Sequence, residues 1–246
     1  YKSAVEPFLA QEMSPENREQ MTVLLNSVWN TIVADISKSR KLSVAQLNAI
    51  ANTLGARTPE LALANKLVDK VAYEDEYHDM IRAKLKVDKK EKYDIVSITD
   101  YAKKASSTVE DYSKDDIIAV IYAQGEIAGG EGDVNVIGEG SIKRSLQEAR
   151  DDKDVKAIVL RVNSPGGSAL TSELIWREIE ITKKVKPVVV SMGNYAASGG
   201  YYIAANADRI FAEPNTITGS IGVFGMLPNM NQLGKNIGIN AEQVKT

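Results

Sequence analysis

The sequence predicts an α/β fold with a largely parallel sheet, and two observations carry that expectation. From about residue 93 onward, short runs rich in Ile and Val alternate with stretches of helical periodicity. Before that point, helical patterns opened by Ser-Pro or Thr-Pro pairs follow one another with no strand between them. Strands separated by helices imply right-handed crossovers, so neighbouring strands should run parallel. The charged run Lys86-Val87-Asp88-Lys89-Lys90-Glu91-Lys92 marks the boundary. It divides a mostly helical region, 1–92, from a strand-rich region, 93–246.

Each element has a local reason. Ser14-Pro15-Glu16-Asn17 supplies an N-cap serine, a proline at the first helical position and an acid in the first turn. Met21, Leu24, Leu25, Val28, Trp29, Ile32, Val33 and Ile36 then recur at helical spacing, predicting a helix over 15–38. Its apolar face is a candidate contact between subunits or within one chain. A second helix is expected over 43–54 with Gly55 as its cap, and a third over 58–71 with Pro59 at its start. The stretch 74–92 reads as an exposed helix running into a linker. Strands are expected at 94–98, 116–123, 156–162, 187–193 and 208–212, with helices at 138–150, 168–184 and 198–206. Pro187 opens its strand, where a missing N–H is tolerated. The Gly-rich loop 125–132 reads as mobile and able to border a site.

Composition removes several function classes. Thirty Lys and Arg against 33 Asp and Glu leave a formal net charge of −3, with no basic excess to bind nucleic acid. Cysteine is absent, which excludes disulfides, thiolate metal sites and a cysteine nucleophile. No metal or cofactor site is expected. No apolar run approaches the roughly 18 residues that cross a bilayer. The single histidine, His78, lies in Glu74-Asp75-Glu76-Tyr77-His78-Asp79 and reads as a solvated helix residue. A serine hydrolase made from this chain would therefore turn to lysine as its base.

Two strand ends carry the candidate chemistry. Val188-Val189-Val190-Ser191-Met192-Gly193 leads through Asn194-Tyr195-Ala196-Ala197 into Ser198-Gly199-Gly200-Tyr201, placing a serine among small residues where a helix begins. Upstream, Ala157-Ile158-Val159-Leu160-Arg161-Val162 ends in Asn163-Ser164-Pro165-Gly166-Gly167-Ser168. Glycines after a strand leave N–H groups unobstructed, and such groups can face a developing oxyanion. Each piece also has a plain reading: Ser198 as an ordinary N-cap, and the glycines as a strand-to-helix turn capped by Ser168. A phosphate loop is disfavoured because Ala169 follows Ser168 and no lysine succeeds the glycines. Lys2, in Tyr1-Lys2-Ser3-Ala4-Val5-Glu6-Pro7-Phe8, reads from its own surroundings as a surface lysine.

Together these blocks resemble the signal peptide peptidase A family. Lys156-Ala157 through Ser168, Pro187 through Gly193, Ala196-Ala197-Ser198-Gly199-Gly200-Tyr201-Tyr202-Ile203 and Thr218 through Gly225 stand in the family's order. The opening Tyr1 to Phe8, with Met13-Ser14-Pro15-Glu16-Asn17-Arg18-Glu19 behind it, resembles the segment that carries the family's catalytic lysine.

The resemblance implies a Clp protease/crotonase-like fold of ββα repeats and a serine–lysine dyad, with Ser198 as nucleophile and Lys2 as general base. It implies an oxyanion hole from Gly166 or Gly167 with Ser198 or Gly199, no cofactor, and hydrophobic peptides such as cleaved signal peptides as substrates. It further implies a homo-oligomer, a membrane-anchored parent protein, and a catalytic part on the periplasmic face of a bacterial inner membrane. Ala62 through Asp69 resembles the closing helix of a first repeat, with Asn65-Lys66 where a glycine is usual. On that reading the chain is a piece of a longer protein, holding the helical tail of one repeat and the strand-rich head of the next. An acyl-CoA enzyme of the crotonase type and a catalytically silent scaffold are the alternatives.

Overall fold

The computed structural model describes residues 3–89, 91–107, 116–223, 225, 227–240, 242 and 244. Its first part is helical: α1 (Glu6–Leu9), α2 (Pro15–Arg40), α3 (Val44–Asn52), α4 (Pro59–Ala64), α5 (Glu74–Leu85) and α6 (Ile98–Ser107). The helix starts follow their caps. Ser14 Oγ accepts the Asn17 N–H at 3.1 Å. Ser43 and Gln46 form a reciprocal capping box, and Thr58 Oγ1 accepts the Leu61 N–H at 3.3 Å. The helix α2 packs on α3, where Val33 and Leu47 are buried and the Trp29 indole N–H donates to Asn48 Oδ1 at 2.8 Å.

Several expected boundaries move. The helix α4 stops at Ala64 rather than Val71, while α5 ends at Leu85, ahead of the charged run expected to be a linker. At the end of α3 the left-handed residue is Leu54 (φ 52°), not Gly55, whose N–H instead closes the turn on Ile50 O at 2.7 Å. Lys41, Lys66 and Lys86 also stand at left-handed helix ends, with φ of 56°, 61° and 58°. The expected strand 94–98 is absent: Ser97 Oγ accepts the Asp100 N–H at 3.0 Å and starts α6 at Ile98. Ile and Val favour a strand only where a neighbouring strand exists to pack on, and a local cap prevails otherwise. His78 is half-buried rather than solvated. Its Nδ1 bonds the Tyr93 hydroxyl, its Nε2 lies 3.6 Å from Glu74 Oε1, and the Arg82 guanidinium sits 5.5 Å from the Tyr93 ring centroid.

The second part is α/β. It runs β1 (Ile117–Gln124), β2 (Glu126–Ile127), β3 (Val136–Ile137), α7 (Glu139–Asp151), β4 (Val155–Ser164), α8 (Ala169–Lys183), β5 (Val188–Ala197), α9 (Gly199–Ala204), β6 (Arg209–Phe211), β7 (Ile217–Gly219) and α10 (Asn231–Asn236). The main sheet has the order β1-β4-β5-β6, with β7 also on β5, and every pairing is parallel. The short strands β2 and β3 form a separate parallel pair.

The core lies between the sheet and helices α7, α8 and α9. Ile158, Leu160 and Val162 from β4 and Val188 and Val190 from β5 meet Leu146, Ile175, Ile179 and Ile203. Burial of these side chains is the principal favourable term holding the layers together. Glu178 is buried in the same layer and paired with Arg150 at 2.5 Å, which in turn reaches Thr182 Oγ1 at 3.2 Å. The loop 125–132, expected to be mobile, is tied down. The Gly130 N–H donates to both oxygens of Glu139 at 3.0 Å, and Ala128 N–H to Ile137 O at 3.0 Å.

The strand β5 extends past its expected end at Gly193 because it bulges. Val162 pairs with Met192, yet the next pair is Ser164 with Ala196, so Gly193, Asn194 and Tyr195 stand opposite Asn163 alone. Asn163 Oδ1 accepts the Tyr195 N–H at 3.2 Å, and a Cβ on Gly193 would lie only 2.8 Å from that oxygen. From the other side, Thr216 and Thr218 hydroxyls donate to Gly193 O at 2.8 Å and Ala196 O at 2.7 Å. The bulge redirects the end of β5 beside the end of β4. In open parallel sheets that carboxyl edge is where ligands bind.

Candidate active site

Ser198 occupies the turn between β5 and α9 with φ 52° and ψ −120°. For a residue with a Cβ this conformation costs on the order of 1–3 kcal/mol, and it persists only where its surroundings enforce it. They do so here: the Ser198 N–H donates to Gly219 O at 2.9 Å, and its carbonyl accepts the Tyr202 N–H at 2.9 Å. The side chain makes no capping hydrogen bond, so the plain N-cap reading does not describe it. Ser198 is half-buried and lines the cleft beside it.

The Asn-Ser-Pro-Gly-Gly turn interlocks with that serine. A Cβ on Gly166 would stand 2.6 Å from Gly199 N and 2.7 Å from Ser198 Cβ, closer than non-bonded atoms approach. Gly166 and Gly167 also have φ of 102° and 148°, so two requirements coincide at these positions. Ile127 N–H donates to Gly166 O and Ser168 N–H to Ile127 O, both at 2.8 Å. The Gly167 N–H lies between these two bonds and faces away from Ile127. A Cβ on Gly199 would lie 3.3 Å from Gly167 N. Among the described residues, neither the Gly167 N–H nor the Gly199 N–H has an acceptor. Two unpaired donors thus sit beside the serine, as stabilisation of an oxyanion requires.

The remaining expected site residues fall differently. The Gly166 N–H is engaged by Ser164 Oγ at 3.1 Å, so Gly166 serves this turn by lacking a side chain. The Ser198 N–H is likewise occupied by Gly219 O. Lys2 lies outside the described residues. Glu6, close to it in sequence, is a residue that sequence reasoning passed over. Its carboxylate accepts from Ser14 Oγ at 2.5 Å and Asn17 Nδ2 at 2.7 Å, and these bonds hold its pKa below the usual glutamate range. They fasten α1 to the start of α2. Asn163 and Ser164 were also passed over as site-building residues, although both belong to the motif that flagged the glycines.

A cleft of about 260 Å³ opens beside Ser198, lined by Gly167, Ala169, Gly199, Tyr201, Tyr202, Ala205, Ile221, Gly222 and Val223. Its walls are almost wholly apolar. Among the described residues no group of three or more His, Cys, Asp or Glu could hold a metal ion. Nor, among them, is any helix long and apolar enough to cross a membrane.

A strained serine on a strand-to-helix turn, next to unpaired backbone donors, is the geometry found in α/β hydrolases that use a nucleophilic serine. Comparison with known proteins identifies the family. The model of peptidase family S49 matches residues 1–88 and 180–246, and the chain belongs to that family. It is 39% identical to Protease 4 of Haemophilus influenzae over its whole length, covering 41% of that protein. It is 34% identical over 99% of its length to the chloroplastic serine protease SPPA of Arabidopsis thaliana, covering 36% of it. The chain therefore spans about two-fifths of the curated relatives it matches. The solved structure of a ClpP1 mutant from Listeria monocytogenes aligns over 40% of this chain and 50% of its own, at 19% identity and a TM-score of 0.31, too distant to bear on the fold. The expected α/β class with a parallel sheet is what the molecule has.

Proposed function

We propose that this chain carries the nucleophile of a serine peptidase acting on apolar peptides, cleaved signal peptides among them. The observation that carries the reading is the strained Ser198 beside the unpaired N–H groups of Gly167 and Gly199. Ser198 Oγ attacks the scissile carbonyl carbon while the neutral amine of Lys2 takes its proton. The resulting oxyanion accepts from Gly167 and Gly199, where one such donor is worth about 3 kcal/mol of catalysis. Collapse expels the amine product, which receives the proton, and water hydrolyses the acyl-enzyme by the same route in reverse. Lys2 enters through the family resemblance. Its amine must be desolvated to be neutral at the working pH.

The two separate stretches matched by the family model support reading 1–92 as the tail of one repeat and 93–246 as the head of a second. The apolar cleft supports an apolar substrate. The family resemblance supports a homo-oligomer at the periplasmic face of a membrane. In the full-length protein, Ser198→Ala is expected to lower cleavage of a hydrophobic reporter peptide by about 10⁴-fold or more. A serine-directed probe should label the wild type at Ser198. Undiminished turnover in Ser198→Ala, or labelling elsewhere, overturns the assignment.

A further inference from the structure

The cleft beside Ser198 is lined by a side chain that the chemistry does not use. Tyr202 lies one helical turn beyond Ser198, its N–H donating to the Ser198 carbonyl at 2.9 Å, and it lines the same cleft. Its hydroxyl donates to Glu173 Oε2. Glu173 stands one turn along α8 from Ala169, another lining residue. The bond therefore ties α9 to α8 beside the cleft. Elsewhere the walls are glycine, alanine and aliphatic side chains, and Tyr201 packs against the core.

We propose that Tyr202, pinned by Glu173, sets the largest side chain that a substrate can place in this cleft next to the scissile bond. The inference rests on Ser198 being the nucleophile. A tyrosine ring has two side-chain torsions, and its hydrogen bond to a second helix restrains both. To swing aside, the ring must leave a carboxylate partner, so the cleft keeps its length when a bulky residue arrives. Glu173 also holds the phenol pKa above its ordinary value, because the hydrogen bond favours the protonated form. The donor consequently persists through the neutral range. Ala169 and Ala205 leave room for a small or medium apolar side chain, and the ring bounds it.

The test uses the full-length protein and peptides that differ only in the residue before the cut, with Ala, Leu or Phe there. Tyr202→Ala is expected to raise kcat/KM for Phe relative to Ala by about tenfold or more, the range over which pocket size discriminates between apolar side chains. Tyr202→Leu should shift the ratio in the same direction, and it guards against a misfolded alanine variant. Glu173→Ala keeps the ring but frees it, and a smaller shift of the same sign is expected. Glu173→Gln still offers an acceptor and should keep the wild-type ratio. An unchanged ratio in both Tyr202 variants, with cleavage still dependent on Ser198, overturns this inference and leaves the nucleophile in place. Absence of any Ser198-dependent cleavage in the wild type overturns both.

Discussion

Among the described residues up to Ser107, Val33 and Leu47 are the buried apolar side chains, whereas the sheet region encloses a continuous core from Ile121 to Ala204. Both regions leave large apolar groups in the open, Leu25 at 62% and Ile98 at 81% exposure in one and Tyr122 at 70% and Val134 at 84% in the other, so the core and not the surface separates them. In the helical region the helices are specified by local devices: Ser14, Ser43 and Thr58 caps, Pro15 and Pro59 at first-turn positions, and left-handed ends. The sheet is specified by contacts between residues far apart in the chain, such as Ile127 with Gly167 and Asn163 with Tyr195. Local signals suffice to start and stop a helix, but a strained functional turn needs a core behind it. The strain at Ser198 is accordingly found where packing is dense.

This contrast can be broken by experiment. Leu160 is fully buried in the sheet core, and Leu160→Ala is expected to cost about 3–5 kcal/mol. Leu47→Ala makes the same chemical change in a thinly packed helix pair that can relax around it, so a loss of about 2 kcal/mol is expected. Chemical denaturation of both variants measures the difference. Equal losses would show that the helical region is as tightly held as the sheet.

A smaller effect, of opposite sign, is expected at Lys66. It is exposed, its backbone sits at φ 61°, and α4 closes around it through Leu67 N–H to Ala62 O at 2.9 Å. Lys66→Gly should stabilise the helical region by about 1 kcal/mol, because a left-handed conformation costs a side-chain-bearing residue roughly that much. No gain in thermal unfolding would show that the turn is relaxed. The smallest effect concerns acid. Glu139 has its pKa lowered, first by the Gly130 N–H it accepts. A depressed carboxylate contributes stability that is present above its unfolded pKa and is lost as pH falls through the folded one. Protection from hydrogen exchange in the 128–132 loop, taken relative to the intrinsic amide rate at each pH, should therefore fall as the solution is acidified below the usual glutamate range. Glu139→Gln should flatten that dependence, and an identical pH profile in the variant would remove Glu139 as its cause.

Much of this molecule was legible along the chain, for reasons specific to each element. Helices α2, α3, α7 and α8 and strands β1, β4 and β5 were found because apolar periodicity and turn residues agree over long segments. The 94–98 segment misled because Asp94-Ile95-Val96 has strand composition, while the Ser97-x-x-Asp100 cap that begins α6 is a two-residue signal. Strands β2, β3 and β7, of two or three residues each, carry no readable period and exist only through their partners. For the site, the serine and the glycine pair stood out by their place at two strand ends, each with a plain reading beside it, and the family resemblance gave them roles. Which N–H groups stay unpaired did not, since a local side-chain bond from Ser164 Oγ decides it for Gly166 and the distant Gly219 O decides it for Ser198.

By itself the sequence determined where strands alternate with helices, which residues cap the helices, and which serine and glycines lie at strand ends. Each follows from side-chain chemistry acting over a few neighbours. Only the tertiary structure decided that β5 bulges against Asn163, that Ser198 takes a conformation a free chain would avoid, and that Gly167 and Gly199 keep their donors open. Those features cost free energy locally, and a core assembled from distant segments is what sustains them.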